Sequence, residues 1–369
     1  MPIHIPTLGE LTPDQEVIQW LPISGRYLIT GGPGSGKTSI AIQRTNYIKK
    51  DNPNASIATF LFTNTLNDFF SDGIKQVEEE NEVKIKSHIY VWAKWQAAFL
   101  RQHNDWPYTL DQKVPWSTLS SKILDHHPKS IYENLIIDEA QDFSETDLEV
   151  MSLIADNITV FADPNQLLND RGVEDLDIIK SIVEIDDEDH HHLRENHRNT
   201  REIIKAAASL APDAIDVNIE ETKNTGQKPR VVSHNSIEDE IAYISRIIRA
   251  NRQKDIGILH LKNEVIYRMH KQLSEHNDGE INFELKKKNT FDFTNTNPKL
   301  CTLDSAKGLE FDIVIMPQMN KDNYSVFNKN LKRIYVGMTR AKEDLHMSYH
   351  GGYPTQYIAQ IDPNTIDRR

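Results

Sequence analysis

Arg26-Tyr27-Leu28-Ile29-Thr30-Gly31-Gly32-Pro33-Gly34-Ser35-Gly36-Lys37-Thr38-Ser39 reads as a short apolar strand, a glycine-rich turn and the start of a helix. The turn fits G-x-x-x-x-G-K-[ST], and helical spacing continues from Ser39 to Lys50. Glycines there let backbone N–H groups turn inward around phosphate oxygens, at a helix N-terminus that already favours anions. Lys37 is expected to reach the β- and γ-phosphates and Thr38 to ligate Mg²⁺.

Outward from this turn the same alternation repeats. Buried strands are expected at Ser56–Phe62, Asn134–Ile137 and Ile158–Ala162, and later at Asp255–His260 and Asp312–Met316. Helices are expected at Glu238–Ala250 and Asn263–Glu275. Short buried strands between helices predict an α/β fold with parallel sheets covered on both faces. The polar stretches Glu220–Pro229 and Asn277–Pro298 read as loops, the second one alternatively as a hairpin.

The chain has 369 residues, which at roughly 100–200 residues per domain suggests two domains or three. One cysteine, Cys301, excludes a disulfide framework, and its setting in Leu300-Cys301-Thr302-Leu303 suggests an inert core thiol. No apolar run approaches the ~18–20 residues of a membrane helix, and Met1–Pro6 does not resemble a secretory signal, so a soluble cytoplasmic protein is expected. The net charge of −13 is uneven: residues 1–130 sum to 0, 131–190 to −16 and 191–369 to +3. Binding to nucleic acid by bulk charge alone is therefore excluded, and a local groove would be needed. The acidic run Glu184–Asp189 precedes His190-His191-His192, which reads as a flexible segment without fixed metal-ligand geometry and places a domain boundary near residue 190.

About 100 residues beyond the glycine turn, Leu135-Ile136-Ile137 leads into Asp138-Glu139-Ala140-Gln141-Asp142-Phe143. An acidic pair at a strand's C-terminal end can divide two tasks. Asp138 can hold Mg²⁺ through water, and Glu139 can activate the attacking water.

With these two motifs the chain resembles superfamily 1 helicases of the UvrD/Rep type, nearly end to end. Leu11-Thr12-Pro13-Asp14-Gln15 resembles the adenine-reading motif, with Gln15 as its reader. Phe62-Thr63-Asn64 resembles a strand-contacting motif, and Ala162-Asp163-Pro164-Asn165-Gln166 one in which Gln166 senses the γ-phosphate. Leu193 to Thr200 resembles the motif that opens the second domain, with His197 at the adenine and Arg198 at the γ-phosphate. Ser305 to Phe311 resembles a motif whose Glu310 bonds the nucleotide and whose Ser305 faces the strand, and Tyr335 to Lys342 one in which Arg340 is the arginine finger.

The resemblance implies two RecA-like domains, about 1–190 and 191–369, with ATP and Mg²⁺ used between them. Gly31, Gly32, Pro33, Gly34, Ser35, Gly36, Lys37, Thr38 and Ser39 would form the nucleotide cradle. About 45 residues separate Trp92 from Asp138 and about 100 separate Thr200 from Ser305, leaving no room for the family's large inserted subdomains. The strand side departs from the pattern. Leu167-Leu168-Asn169-Asp170-Arg171-Gly172 lacks the aromatics that follow Gln166 in relatives, Asp304 stands where a His is common, His197 replaces a stacking Tyr and Ala162 a Gly. Phe62, Tyr90, Trp92 and Trp95 remain as candidate stacking groups, although the core is the expected place for Trp95. Lys286-Lys287-Lys288 reads as a solvated face.

The resemblance implies an ATP-dependent motor on single-stranded or partially duplex DNA, with 3′→5′ polarity. The alternative is an ATPase subunit acting on a protein partner such as a nuclease, in a defence or repair complex.

Overall fold

The computed structural model describes residues 5–81, 88–103, 116–126, 130–167, 171–210, 222, 224–285, 291, 295–321, 327–352 and 354–369. Two compact units emerge: one comprises Ile3–Gly32 and Gly36–Arg194, the other Glu195–Arg369 together with Pro33–Ser35. No described helix is long and apolar enough to cross a membrane.

The first unit is a six-stranded sheet built from β1 (Arg26–Gly31), β2 (Ile57–Leu61), β3 (His88–Val91), β4 (Tyr132–Ile137), β5 (Ala155–Ala162) and β6 (His190–Leu193). Their spatial order is β3-β2-β4-β5-β1-β6, and every pair is parallel. Both faces are covered, as an all-parallel sheet requires. Leu28, Phe60, Leu135, Ile137 and Val160 pack into one core with Trp92, Trp95 and Phe143. Tyr27, Ile29, Leu61, Ile136 and Phe161 face the other way, onto Ile40, Leu66 and Phe70. The alternation of neighbours such as Leu135 and Ile136 follows from the two-residue period of a strand. Burial of each such side chain contributes about 1.5–3 kcal/mol.

β6 corrects the reading of the histidine run. His190, His191 and His192 lie in register with Leu28, Ile29 and Thr30 of β1, so the segment is an edge strand of the first sheet. Thr30 Oγ1 lies 2.9 Å from both His190 Nε2 and His192 Nδ1. The units accordingly divide after Arg194, a few residues beyond the position expected from the acidic run.

The second unit is a seven-stranded sheet of β7 (Arg230–His234), β8 (Ile256–His260), β9 (Glu284–Leu285), β10 (Lys299–Thr302), β11 (Phe311–Met316), β12 (Ala341–His350) and β13 (Asp367–Arg368). The order is β13-β7-β12-β11-β8-β10-β9, again parallel throughout. Cys301 is buried inside β10, as expected. β9 pairs with β10 in parallel, so the described part of 277–298 is not an antiparallel hairpin. Lys286–Lys288 lie outside the described residues, as do Leu168–Asp170. Ile256, Ile258, Leu300, Ile313 and Ile315 pack under the helices Ile237–Ala250 and Asn263–His276.

Candidate active site

β1 delivers the chain to the glycine turn, and the helix Lys37–Asp51 departs from it. Gly34 and Gly36 have φ of +77° and +88°, in the left-handed region that turns successive N–H groups toward one side. Gly36 has a second reason to lack a Cβ: one built there would stand 2.7 Å from Gln15 Nε2. Gln15 is placed by a capping box at the helix Pro13–Gln19. Its N–H donates to Thr12 Oγ1 at 3.3 Å and its Oε1 accepts from Thr12 N–H at 3.1 Å. The glutamine amide thus lies against the turn, where a nucleotide-reading group is expected.

Lys37, 7% exposed, folds its ammonium back over the turn. Its Nζ donates to the carbonyls of Gly31 at 2.6 Å and Gly32 at 3.0 Å, and lies 3.7 Å from Asp163 Oδ2. Thr38 Oγ1 donates to Asp138 Oδ2 at 2.8 Å, joining motifs that are 100 residues apart. This juxtaposition follows from the sheet order, in which β4 and β1 flank β5 and end on the same side. Ser39 follows in the same helix, half-buried.

Asp138 is fully buried. Burial, then the Glu139 charge beside it, push its carboxyl well above the usual carboxylate range, against the pull of Thr38 and Lys37. A buried carboxylate beside a threonine hydroxyl and a glycine cradle fits a divalent cation bound with phosphate. Thr38 and Asp138 would hold Mg²⁺ there.

Glu139 sits at φ +56°, in the left-handed region, and opens the short turn Ala140–Asp142. Gln141 Nε2 donates to Glu139 Oε2 at 2.5 Å. Gln141 Oε1 in turn accepts from Asp163 N–H at 2.9 Å. Gln166 is buried and donates from Nε2 to Asp163 Oδ2 at 2.6 Å. Lys37, Thr38, Asp138, Glu139 and Gln166 are thus gathered at one end of the first sheet. The motif patterns singled out neither Gln141 nor Asp163 for a role. The signal was present in the glutamine and aspartate within the quoted stretches.

In the second unit, the motif residues are engaged with one another. Arg198 forms an ion pair with Glu310 through Nη2 and Oε1, while Arg198 Nε is buried without a hydrogen-bond partner. Burial acts to raise the Glu310 pKa, but Arg198, then Lys342 and Arg340, outweigh it and hold the group below the usual range. Arg340 is 1% exposed. Its Nε donates to the Val336 carbonyl at 3.0 Å, and its Nη1 and Nη2 reach Leu309 O at 3.5 Å and Thr339 Oγ1 at 3.4 Å. Asn199, also not anticipated, donates from Nδ2 to the carbonyls of Thr339 at 2.9 Å and Ala341 at 2.5 Å. It ties the Leu193–Thr200 stretch to the Tyr335–Lys342 stretch. His197 is exposed, with Nε2 3.8 Å from Glu195 Oε2.

The residues expected at a nucleic-acid strand do not form one group. Phe62 is 36% exposed and meets Phe143 edge-on at 5.5 Å. Thr63 Oγ1 accepts from Leu66 N–H at 3.2 Å and so caps the helix Asn64–Asn81, which Asn64 opens. Tyr90, half-buried on the edge strand β3, stacks on His88 with centroids 5.9 Å apart. Trp92 is corrected from a candidate stacking group to a core residue, and Trp95 lies in the core as expected: both are buried, and their indole N–H groups donate to Asp147 Oδ1 and the Tyr132 hydroxyl. Ser305 is half-buried and its Oγ accepts from Thr302 Oγ1 at 3.1 Å. Asp304 does not stand alone against a strand phosphate, because Arg333 Nε donates to its Oδ1 at 2.7 Å.

Comparison with known proteins follows the same division. The model of the UvrD-like helicase C-terminal domain matches residues 191–297 and 284–352, and an AAA domain model matches 15–170. One similar solved structure is the C-terminal domain of a possible DNA helicase from Lactobacillus WCFS1, 18% identical. That match covers 46% of this chain and 97% of the other, at a TM-score of 0.38. No curated protein matches the chain.

Proposed function

Because the chain belongs to the UvrD-like helicases, a family of superfamily 1 helicase-type ATPases, we propose that it hydrolyses ATP to drive movement along single-stranded DNA. The observation that carries the reading is the linked set Lys37–Asp163, Thr38–Asp138 and Gln141–Glu139 at one end of the first sheet. Lys37 supplies a cation for the charge that develops on the transferred phosphoryl oxygens. Glu139 takes the proton of the attacking water, and Gln166 orients the terminal phosphate. When bound, Mg²⁺ neutralises phosphate charge as a Lewis acid. Thr38 and Asp138 are its holders, and Gln15, His197 and Glu310 the residues assigned to the nucleoside. Arg198 and Arg340 are assigned to the transition-state charge, which requires them to exchange their present partners. Family resemblance supports 3′→5′ polarity and domains near 1–190 and 191–369.

A second reading has its own support. Of Phe62, Tyr90, Trp92 and Trp95, only Phe62 is exposed, so these four offer bases little aromatic surface. Base–aromatic stacking contributes about 1–3 kcal/mol per base. With that grip reduced, ATP turnover would serve a protein partner such as a nuclease. Steady-state ATPase of the purified chain, with and without single-stranded DNA at two salt concentrations, separates the two. Stimulation of about tenfold or more that fades with salt supports the motor. Turnover indifferent to DNA supports the partner-directed reading, and no turnover at all overturns both.

A further inference from the structure

Gln141 is fully buried and joins two parts of the first unit that the chain keeps apart. One end of its amide donates to the Glu139 carboxylate at 2.5 Å and the other accepts the Asp163 N–H at 2.9 Å. Glu139 holds a left-handed backbone conformation that disfavours a side chain with a Cβ. Its N–H donates to Asp138 Oδ1 at 3.0 Å and its carbonyl accepts from Asp142 N–H at 2.9 Å, closing the turn. A backbone held that way aims the carboxylate, and Gln141 holds one of its oxygens. The backbone of Gln141 is itself braced. Its carbonyl accepts from Val173 N–H at 2.9 Å, and a Cβ on Gly172 would lie 2.0 Å from the same oxygen. Gly172 and Val173 follow Gln166 in the chain, so the end of that segment sets the height of Gln141.

We propose that Gln141 is the positioning residue for Glu139 and that it links the rate of hydrolysis to the placement of Gly172–Val173. The inference rests on the hydrolytic reading given above. Gln141 touches neither nucleotide nor water in this assignment; it acts by holding the base. Removing its donor takes away the hydrogen bond that holds Oε2 of Glu139, so turnover falls while ATP affinity is kept. Displacing its backbone from the Gly172 side does the same without altering any group near the phosphates.

The test compares the wild-type chain, Gln141→Leu and Gly172→Ala in steady-state ATPase, with a fluorescent ATP analogue to measure binding. A hydrogen bond to a charged group lost at the base predicts a kcat about 10- to 100-fold lower in Gln141→Leu, with KM and analogue affinity within about twofold. Gly172→Ala is expected to lower kcat by about tenfold with the same split. The double variant should fall little below Gln141→Leu, because both changes act through one contact. Wild-type kcat in both single variants overturns the proposal. So does a loss of affinity that parallels the loss of kcat, since that marks a merely structural role. A variant that does not fold binds no analogue, and the other single variant then carries the decision. A wild-type chain that binds ATP without turning it over overturns the hydrolytic reading itself, a result distinct from either.

Discussion

The two units treat the cations proposed to act on phosphate differently. In the first, Lys37 lies over the glycine turn with Asp163 behind it, and Thr38 and Gln141 hold the two motif carboxylates in place. In the second, Arg198 is paired to Glu310, and Arg340 is enclosed by carbonyls of its own unit. The first arrangement holds in place the groups proposed to act in hydrolysis. The second satisfies its arginines internally, so using them on phosphate requires an exchange of partners. Loss of a first-unit group should therefore act mainly on turnover, and loss of a second-unit arginine on turnover and stability together.

Arg340→Ala is the sharpest way to break this contrast. An arginine finger contributes about 10³-fold or more to kcat, and a buried guanidinium leaves carbonyls and volume unfilled, so we expect that loss plus about 2–4 kcal/mol of stability in denaturant melts. A stable but inactive Arg340→Ala would put both units in the same class. Lys37→Ala should lower kcat by about 10²–10³-fold while the denaturation midpoint moves far less than in Arg340→Ala. Asn199→Ala should destabilise the second unit by about 1–3 kcal/mol, because the Thr339 and Ala341 carbonyls lose a buried donor.

A further expected effect, absent at neutral pH, is on acid stability of the second unit. Burial pushes His260 and His346 down to about 4. Both are neutral in the folded chain at pH values where the unfolded chain binds protons. Their contribution is thus complete above about pH 6.5 and is lost as pH falls toward 4. His260 Nδ1 accepts from Lys262 N–H at 3.0 Å, a bond an asparagine oxygen can replace. His260→Asn should flatten the fall in unfolding free energy between pH 6.5 and 4, by up to about 3 kcal/mol at the acid end. An unchanged slope would place the acid sensitivity elsewhere.

What could be read in advance divides along the same line. Apolar runs such as Leu135–Ile137 and Ile256–His260 specify buried parallel strands by composition alone, and the glycine turn carries its own chemistry at fixed spacing. β6 escaped because three histidines after an acidic run carry no strand signal. Pairing with Leu28–Thr30 of β1 makes them a strand. Trp92 and Trp95 belong to an amphipathic helix, and which face it buries is a tertiary matter. The pair Asp304–Arg333 joins residues 29 apart, so the acidic substitution looked unopposed in the sequence. Gln141 stood within a quoted motif, but its task depends on Asp163, 22 residues further along.

The measurement that bears most directly on the central claim is single-turnover hydrolysis of ATP by Glu139→Gln beside the wild type, with nucleotide binding measured on both. Glu139→Gln should bind ATP at least as tightly and hydrolyse it about 10²–10⁴-fold more slowly. A Glu139→Gln chain that hydrolyses ATP at the wild-type rate would contradict that claim.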